Sequence, residues 1–502
     1  MTDTPITHSV VVVGAGFGGL TMAAELKSAG VEDFVILEEG PEVGGVWREN
    51  TYPGCSCDVP SHLYSFAHDP HRDPRVRYPV QESILAYMRE VTDRHGLRAH
   101  LRCNVSVAAA DYNDDGTWTL TTTGRQYLRA RAVVWAVGQL HRPSMPYIDG
   151  AEGFAGTAVH SARWDHTADL TGRIAVIGTG SSAAQMIPEL ARTAASVTVY
   201  QRTPAWVLPK PNAQFGPVSR WALARLPGLH ALYRAGVYRG ADLVLAPIMR
   251  GGWSARPAAL VARAHLRRQV GDRALRRKLT PTYRIGEKRI LMDSDFYPAL
   301  TQPHVELVTD PIERITPTGI RTVDGAERAA DLVVWATGFR TLDFFSGVEI
   351  RGRDGRNLQA MWRQQGRPSA FYGTAVPGFP GLYMIAGPNS FTPSNSNPSM
   401  KLHQARYIMR CLDLSDRVDA PVEVSEQAMT AYLDRLDRAL ARTVWRDGVR
   451  TWWKQADGTT TNAWPGTAAE FGRALQQHDP AESFRIVAPA RQYGLAFDRQ
   501  VS

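Results

Sequence analysis

Two glycine-rich turns, each preceded by a β-branched run, limit this chain to folds that contain two dinucleotide-binding units. The first is Gly14-Ala15-Gly16-Phe17-Gly18-Gly19 and the second is Gly178-Thr179-Gly180-Ser181-Ser182-Ala183. Ser9 to Val13 runs straight into the first turn, an Ala- and Leu-rich helix is predicted from Leu20 to Leu26, and Phe34 to Leu37 reads as a second strand. The second unit repeats the order with a strand Ile174 to Ile177, a helix Ser182 to Ala191 and a strand Val197 to Tyr200. Strand, glycine turn, helix and strand together are the context the motif requires, because the glycines let a pyrophosphate approach the free N–H groups of the helix N-terminus. Both units place a charged residue 24 positions after their first glycine, Glu38 in one and Arg202 in the other. At the end of the second strand an acid accepts hydrogen bonds from a free ribose, whereas an arginine receives a 2′-phosphate. FAD in the first unit and NADPH in the second fit this pair.

The fold class expected is α/β, with two Rossmann-like dinucleotide-binding domains and a helical insertion in the second. The 502 residues are too many for one small core. The expected division is a first FAD part at 1–150, an NADPH domain at 151–380 with a helical subdomain at about 204–287, and a return to the FAD domain with a substrate-side segment at 381–502. Thr117 to Thr123, Arg131 to Val137, Val305 to Val308, Asp331 to Trp335 and Leu382 to Ala386 read as strands. Val218 to Lys278, Pro398 to Leu412 and Ser425 to Thr443 read as helical, and Trp445 to Trp464 as an aromatic loop.

The formal charge of +8 is concentrated: 256–289 holds eleven Lys or Arg against Asp272 and Glu287. Without interleaved aromatics or a known module this reads as a solvated helical face and not as a nucleic-acid site. No apolar stretch approaches the ~20 residues needed to span a bilayer, so no stable membrane insertion is expected. The first strand begins too early to leave room for a signal peptide. Cys55, Cys57, Cys103 and Cys411 offer neither a disulfide framework nor a CxxC, and a cytoplasmic location is the simplest expectation. No metal-ligand spacing stands out.

Between the two units lies Phe154, Gly156, His160, Trp164 and Asp165, in the spacing F-x-G-x-x-x-H-x-x-x-W-D. This resembles the fingerprint of the type I Baeyer–Villiger monooxygenases, which are class B flavoprotein monooxygenases. Gly45, Trp47, Tyr52, Pro53, Gly54 and Asp58 are similar to the family's second motif, G-x-W-x4-[FY]-P-G-x3-D. Gln201 to Pro204 resembles its NADPH-phosphate segment, and Ala336 to Phe339 and Gly387 to Ser390 resemble further family motifs. Val137 stands where the family has threonine before Gly138.

The resemblance implies an FAD- and NADPH-dependent enzyme that inserts one oxygen atom of O2 beside a ketone carbonyl, giving an ester or lactone. It places the active-site arginine at Arg289, stabilising a flavin peroxide and then the oxyanion of the ketone adduct, with Asp58 orienting it. A guanidinium suits that task because it is permanently charged and donates in a fork. Gly14, Gly16, Gly19, Glu38, Gly45, Trp47 and Asp58 are then expected on FAD. Gly178, Gly180, Ser181, Ser182, Arg202, Thr203 and Lys288 are expected on NADPH, Lys288 helping Arg202 and Thr203 with the 2′-phosphate. His160 is assigned to the hinge between domains and not to proton transfer. The alternative is a monooxygenase of amine nitrogen or sulfide sulfur, which shares both glycine motifs but lacks the Trp164-Asp165 ending. A disulfide reductase is disfavoured because no CxxC is present.

Overall fold

The computed structural model describes residues 6–71, 75–211, 214–345, 347–446, 448–449, 451–455 and 457–488. Two parallel-centred sheets organise them. Strand Ile6–Val13 forms the middle of an eight-stranded sheet, pairing in parallel with Phe34–Leu37 on one side and Tyr127–Trp135 on the other. Val10, Val11 and Val12 are wholly buried there, the continuous apolar run that a parallel strand covered on both faces demands. The other edge of Tyr127–Trp135 is shared. Its first half takes the antiparallel strand Trp118–Thr122, and Val133 to Trp135 take the late strand Leu382–Met384. The outer strands are Val107–Tyr112, Glu349–Arg351 and Leu101–Arg102. The chain therefore leaves the first sheet and returns to it after the whole second unit.

The second sheet has five parallel strands in the spatial order Val305–Val308, Ser196–Tyr200, Arg173–Ile177, Leu332–Trp335 and Thr157–His160. His160, from the linker fingerprint, ends its edge strand opposite Trp335. Trp164 packs against the main apolar core. A small antiparallel sheet, Ile312–Thr316, Gly319–Thr322 and Glu327–Ala329, follows the fourth parallel crossing.

The nucleotide-turn helices begin earlier than their apolar pattern. The first runs Phe17–Ser28 and includes Gly18 and Gly19; the second runs Ser181–Leu190. Gly19 sits inside the helix because any side chain there would overlap the Gly14 carbonyl oxygen. Trp135 ends its strand two residues before Val137, and Met384 ends the late strand because Ala386 takes a left-handed backbone, φ +64°.

The helical stretch resolves into Pro217–Arg225, Leu229–Val244, Ala246–Met249, Ala255–Gln269 and Arg273–Lys278. Arg256, Arg263, Arg267 and Arg268 are exposed, as a solvated face requires, but Lys288 and Arg289 leave that face for the interior. Of the late helices, the first extends to Asn397–Arg417, whereas the second is the shorter Glu426–Leu440, with Ser425 as its cap. Among the described residues no helix is long and apolar enough to cross a membrane.

Candidate active site

The register of the first sheet sets Glu38 beside the first glycine turn. Val13 pairs with Leu37, and the Gly14 N–H donates to the Leu37 carbonyl at 2.7 Å. Gly14, Gly16, Glu38, Gly45 and Trp47 then line one cleft of about 1370 Å³, counting its open mouth. Gly19 does not reach the cleft and packs beneath the turn. The second unit repeats the arrangement: Ile177 pairs with Tyr200, and the Gly178 N–H donates to the Tyr200 carbonyl at 3.0 Å. Arg202 thereby follows two residues after the strand end that pairs beside the second glycine turn.

Both turns fit a dinucleotide. Gly14 and Gly178 have φ +102° and +118°, and a methyl on either would meet a carbonyl oxygen, of Ala136 at 2.8 Å and of Ala336 at 2.5 Å. The middle glycines differ. A methyl on Gly16 would lie 3.7 Å from Gly45 Cα, and one on Gly180 would meet nothing within 4 Å. That space is open to a ligand, in front of helices whose first turns carry no side-chain cap.

Glu38 is busier than its position in sequence suggests. One carboxylate oxygen accepts from Ala15 N–H at 2.7 Å, and the other from Gly40 N–H at 2.9 Å and Arg48 at 2.8 Å. It braces the turn, with one acceptor position remaining for a ribose hydroxyl. Arg48 also pairs with Glu49 at 3.1 Å, and His141 bridges Glu49 and Glu39 at 3.0 and 2.7 Å. The hydrogen bonds that His141 donates to Glu39 and then to Glu49 raise its imidazole to about 9. Arg163 of the linker fingerprint reaches the same Glu49 at 3.2 Å, and Thr51 meets His166 at 2.8 Å.

The loop carrying the second motif joins the two units. The Tyr52 hydroxyl donates to Gln185 at 2.9 Å, the Gln185 amide donates back to the Ser56 carbonyl at 2.9 Å, and Lys210 reaches the Ser56 hydroxyl at 3.2 Å. At its end Asp58 meets Arg289. Both Asp58 oxygens accept from Arg289 Nη2, at 2.7 and 2.8 Å. Burial would raise the Asp58 carboxyl, but the charge and hydrogen bond of Arg289 outweigh it and hold the group below the usual carboxylate range. Burial likewise opposes the Arg289 charge, and Asp58 more than restores it. Among the described residues no other hydrogen bond engages Arg289, so Nε and Nη1 keep free donors. Its guanidinium lies 5.9 Å from the Phe391 ring centre. The pair stands next to Tyr64, whose hydroxyl accepts from the Trp47 indole at 3.1 Å on the cleft wall and feels both charges.

A two-residue parallel pairing explains why 202–208 and 288–292 converge. Val207–Leu208 pairs with Leu291–Met292, and the Leu291 N–H donates to the Trp206 carbonyl at 2.9 Å. Lys288 is thereby brought near Arg202. Burial and the Arg202 charge both push the Lys288 ammonium down. Two cations facing one another with Thr203 between them in the chain is an arrangement that an anion would relieve.

Sequence reasoning passed over Arg48, Tyr64, His141 and Lys401, all of which line the first cleft. Arg48, Tyr64 and His141 lie at variable positions of motifs or in loops, where spacing carries no signal. Lys401 did leave one: it shares a helical stripe with the buried Gln404, Ala405, Ile408 and Leu412, which puts a lone cation on the inward face.

Known proteins agree with this geometry. Residues 11–234 match the family described as pyridine nucleotide-disulphide oxidoreductase. The chain is 38% identical over 487 residues to a Baeyer–Villiger monooxygenase of Streptomyces coelicolor, covering 96% of this chain and 93% of the relative. It is 37% identical over 496 residues to an FAD-binding monooxygenase of Aspergillus niger, covering 93% and 80%. Its structure overlays that of cyclohexanone monooxygenase from Rhodococcus sp. Phi1 bound to NADP+ with a TM-score of 0.86, at 27% identity, covering 97% of this chain and 100% of that one. Two nucleotide turns of the expected kind, a linker fingerprint between them and relatives of this identity along nearly the whole length establish that the chain belongs to the Baeyer–Villiger monooxygenase family.

Proposed function

We propose that this enzyme binds FAD in the cleft between Gly14 and Tyr64, binds NADPH at Gly178 to Arg202, and inserts one atom of O2 beside a ketone carbonyl to give an ester or lactone. The other oxygen atom leaves as water and NADPH leaves as NADP+. Segments 1–150 and 381–502 serve FAD, and 151–380, with its helical part at about 204–287, serves NADPH up to Trp335, after which the chain already returns to the FAD cleft through Arg340 and Val348 and to the first sheet through Glu349–Arg351. The observation that carries this reading is the Arg289–Asp58 pair beside Tyr64. The names of the relatives, an FAD-binding monooxygenase and an NADP+-bound cyclohexanone monooxygenase, support the cofactors and the substrate class.

When bound and reduced, FAD supplies the activation of O2. The chain's residues supply the electrostatics. Asp58 takes up one nitrogen of Arg289 and fixes the plane of the guanidinium, while Nε and Nη1 remain to donate to oxygen as it acquires negative charge. A fixed donor placed where charge develops costs no reorganisation during reaction. Arg202, Thr203 and Lys288 receive the 2′-phosphate, and Ser181 and Ser182 receive the pyrophosphate at the helix N-terminus.

A ketone panel run under oxygen-18, with product mass analysis, tests the reaction. One labelled atom in an ester or lactone is expected. Arg289→Ala should lower ketone turnover by about 10²–10³-fold, the usual cost of removing an oxyanion donor, while NADPH still reduces the flavin at near wild-type rate. Sulfide or amine oxygenation with no ketone turnover across the panel would replace this reading with that of a heteroatom monooxygenase.

A further inference from the structure

The N-terminal part of helix Asn397–Arg417 borders the first cleft. Its cap, Ser396, donates from its hydroxyl to the carbonyl of Leu63 at 3.1 Å, and Leu63 precedes Tyr64. Two turns into the helix, Gln404 accepts from Ala386 N–H at 2.9 Å, and Ala386 is part of the cleft wall. Between these anchors Lys401 lines the cleft. The helix lies alongside Phe17–Ser28, to which Arg406 and Glu25 tie it at 3.3 Å. Phe17 and Lys401 line the same cleft and Glu25 and Arg406 meet further on, so the two helices run in the same direction and present two N-termini to one cavity.

Lys401 differs from every other lysine of the chain. Lys27 pairs with Glu32, Lys210 with the Ser56 hydroxyl, Lys278 with the Leu307 carbonyl and Lys454 with the Gly448 carbonyl, and Lys288 lies over the Tyr283 ring. Among the described residues nothing accepts a hydrogen bond from the Lys401 ammonium and no carboxylate pairs with it. The side chain is partly buried on the cleft wall, and burial alone pushes its amine down to about 8. A partly buried cation without a partner is costly, and the positive end of a helix dipole near it adds to the cost. Positive charge is thus gathered on one wall of the cavity, an arrangement that an electron-rich group would relieve.

The rest of the cavity identifies that group. Gly14 and Gly16 take the pyrophosphate of FAD and Glu38 its ribose, so the part of the cleft beyond them, lined by Tyr64 and Lys401, takes the flavin ring. The electron-rich part of that ring is the edge bearing its pyrimidine carbonyls, which gains negative charge when two electrons arrive. We propose that Lys401 and the first turn of its helix form a cationic seat for this edge and hold the negative charge the flavin acquires on reduction by NADPH. The hydride brings two electrons and one proton equivalent to the ring, and the second ionisable proton of the reduced ring stays in solvent. Charge placed near such a ring is one of the ways a protein sets its electronics. The inference rests on the cleft being the FAD site.

The test compares wild type with Lys401→Met, Lys401→Gln and Lys401→Arg, each loaded with FAD. The two-electron midpoint potential is measured against reference dyes across pH, with the absorption spectrum of the NADPH-reduced flavin. In Lys401→Met the preference for reduced over oxidised flavin should weaken at least ten-fold, a fall of about 30 mV. The ionisation of the reduced flavin should move up by about one pH unit, and Lys401→Arg should restore both. A potential and an ionisation unchanged in Lys401→Met overturn the proposal. So do folded Lys401→Met and Lys401→Gln proteins that both reject oxidised FAD, because a seat for the charge of the reduced ring leaves the oxidised ring bound. Wild-type protein that holds no flavin refutes the cofactor reading itself, and this is seen before any variant is made.

Discussion

Replacing Gly180 with alanine separates what the protein needs from what its ligand needs. Gly180 has φ −79° and ψ −170°, a conformation open to any residue, and its added methyl group meets no protein atom within 4 Å. The fold should therefore be untouched, or stabilised by about 0.4–1 kcal/mol through a less flexible unfolded chain. The methyl group instead occupies the space in front of the helix N-terminus where a pyrophosphate must approach. Overpacking of this kind costs about 1–3 kcal/mol, so KM for NADPH should rise about 5- to 150-fold with kcat and flavin content preserved. Steady-state kinetics, the visible flavin spectrum and a urea melt read out the three quantities. Gly16→Ala is the matched control: its φ and ψ of −80° and −169° are equally permissive, and it should impair FAD retention instead. Gly19→Ala, which overlaps the Gly14 carbonyl, should lose the fold. An unchanged KM for NADPH in Gly180→Ala, or a loss of fold, would refute the reasoning.

Two further outcomes are expected. Arg202→Ala should weaken NADPH use by roughly 1.5–3 kcal/mol, or about 10- to 150-fold, and leave NADH kinetics nearly unchanged; equal losses with both cofactors would remove Arg202 from the 2′-phosphate. His141 is raised to about 9 by Glu39 and Glu49, so its contribution to stability is complete below about pH 6.5 and disappears as pH rises through about 9. With Glu39 half exposed, solvent screening reduces the worth of the bridge to on the order of 1–2 kcal/mol. Urea melts should show His141→Gln less stable than wild type at pH 6 and equal to it near pH 10; a gap that persists at pH 10 would refute the bridge.

The architecture was legible wherever burial covers both faces of a strand. Val10 to Val13 and Ile174 to Ile177 read directly as strands because each is an unbroken apolar run, and Val305 to Val308 keeps the pattern apart from the exposed Glu306. The small sheet at Ile312–Thr316, Gly319–Thr322 and Glu327–Ala329 was not legible, since Glu313, Arg314, Arg321 and Glu327 leave no apolar pattern on its exposed face. Helix starts were missed by a few residues because the glycines at 18 and 19 mimic a loop. At the site, the family resemblance pointed to Arg289 and Asp58, and the structure pairs them across 231 positions. Arg48, Tyr64, His141 and Lys401 escaped because they come together only when segments around 48, 64, 141 and 401 close on one cavity.

The short pairing of Val207–Leu208 with Leu291–Met292 works as a clasp. The chain departs through one strand, makes an excursion of five helices, and re-enters through the other. Whatever happens in that excursion, the distance between Arg202 and Arg289 is constrained at the clasp. The exposed faces of the helices between them can change over generations, while the two arginines keep their separation. The part of the enzyme most open to evolutionary remodelling is thus insulated from the part that must stay in register with two cofactors.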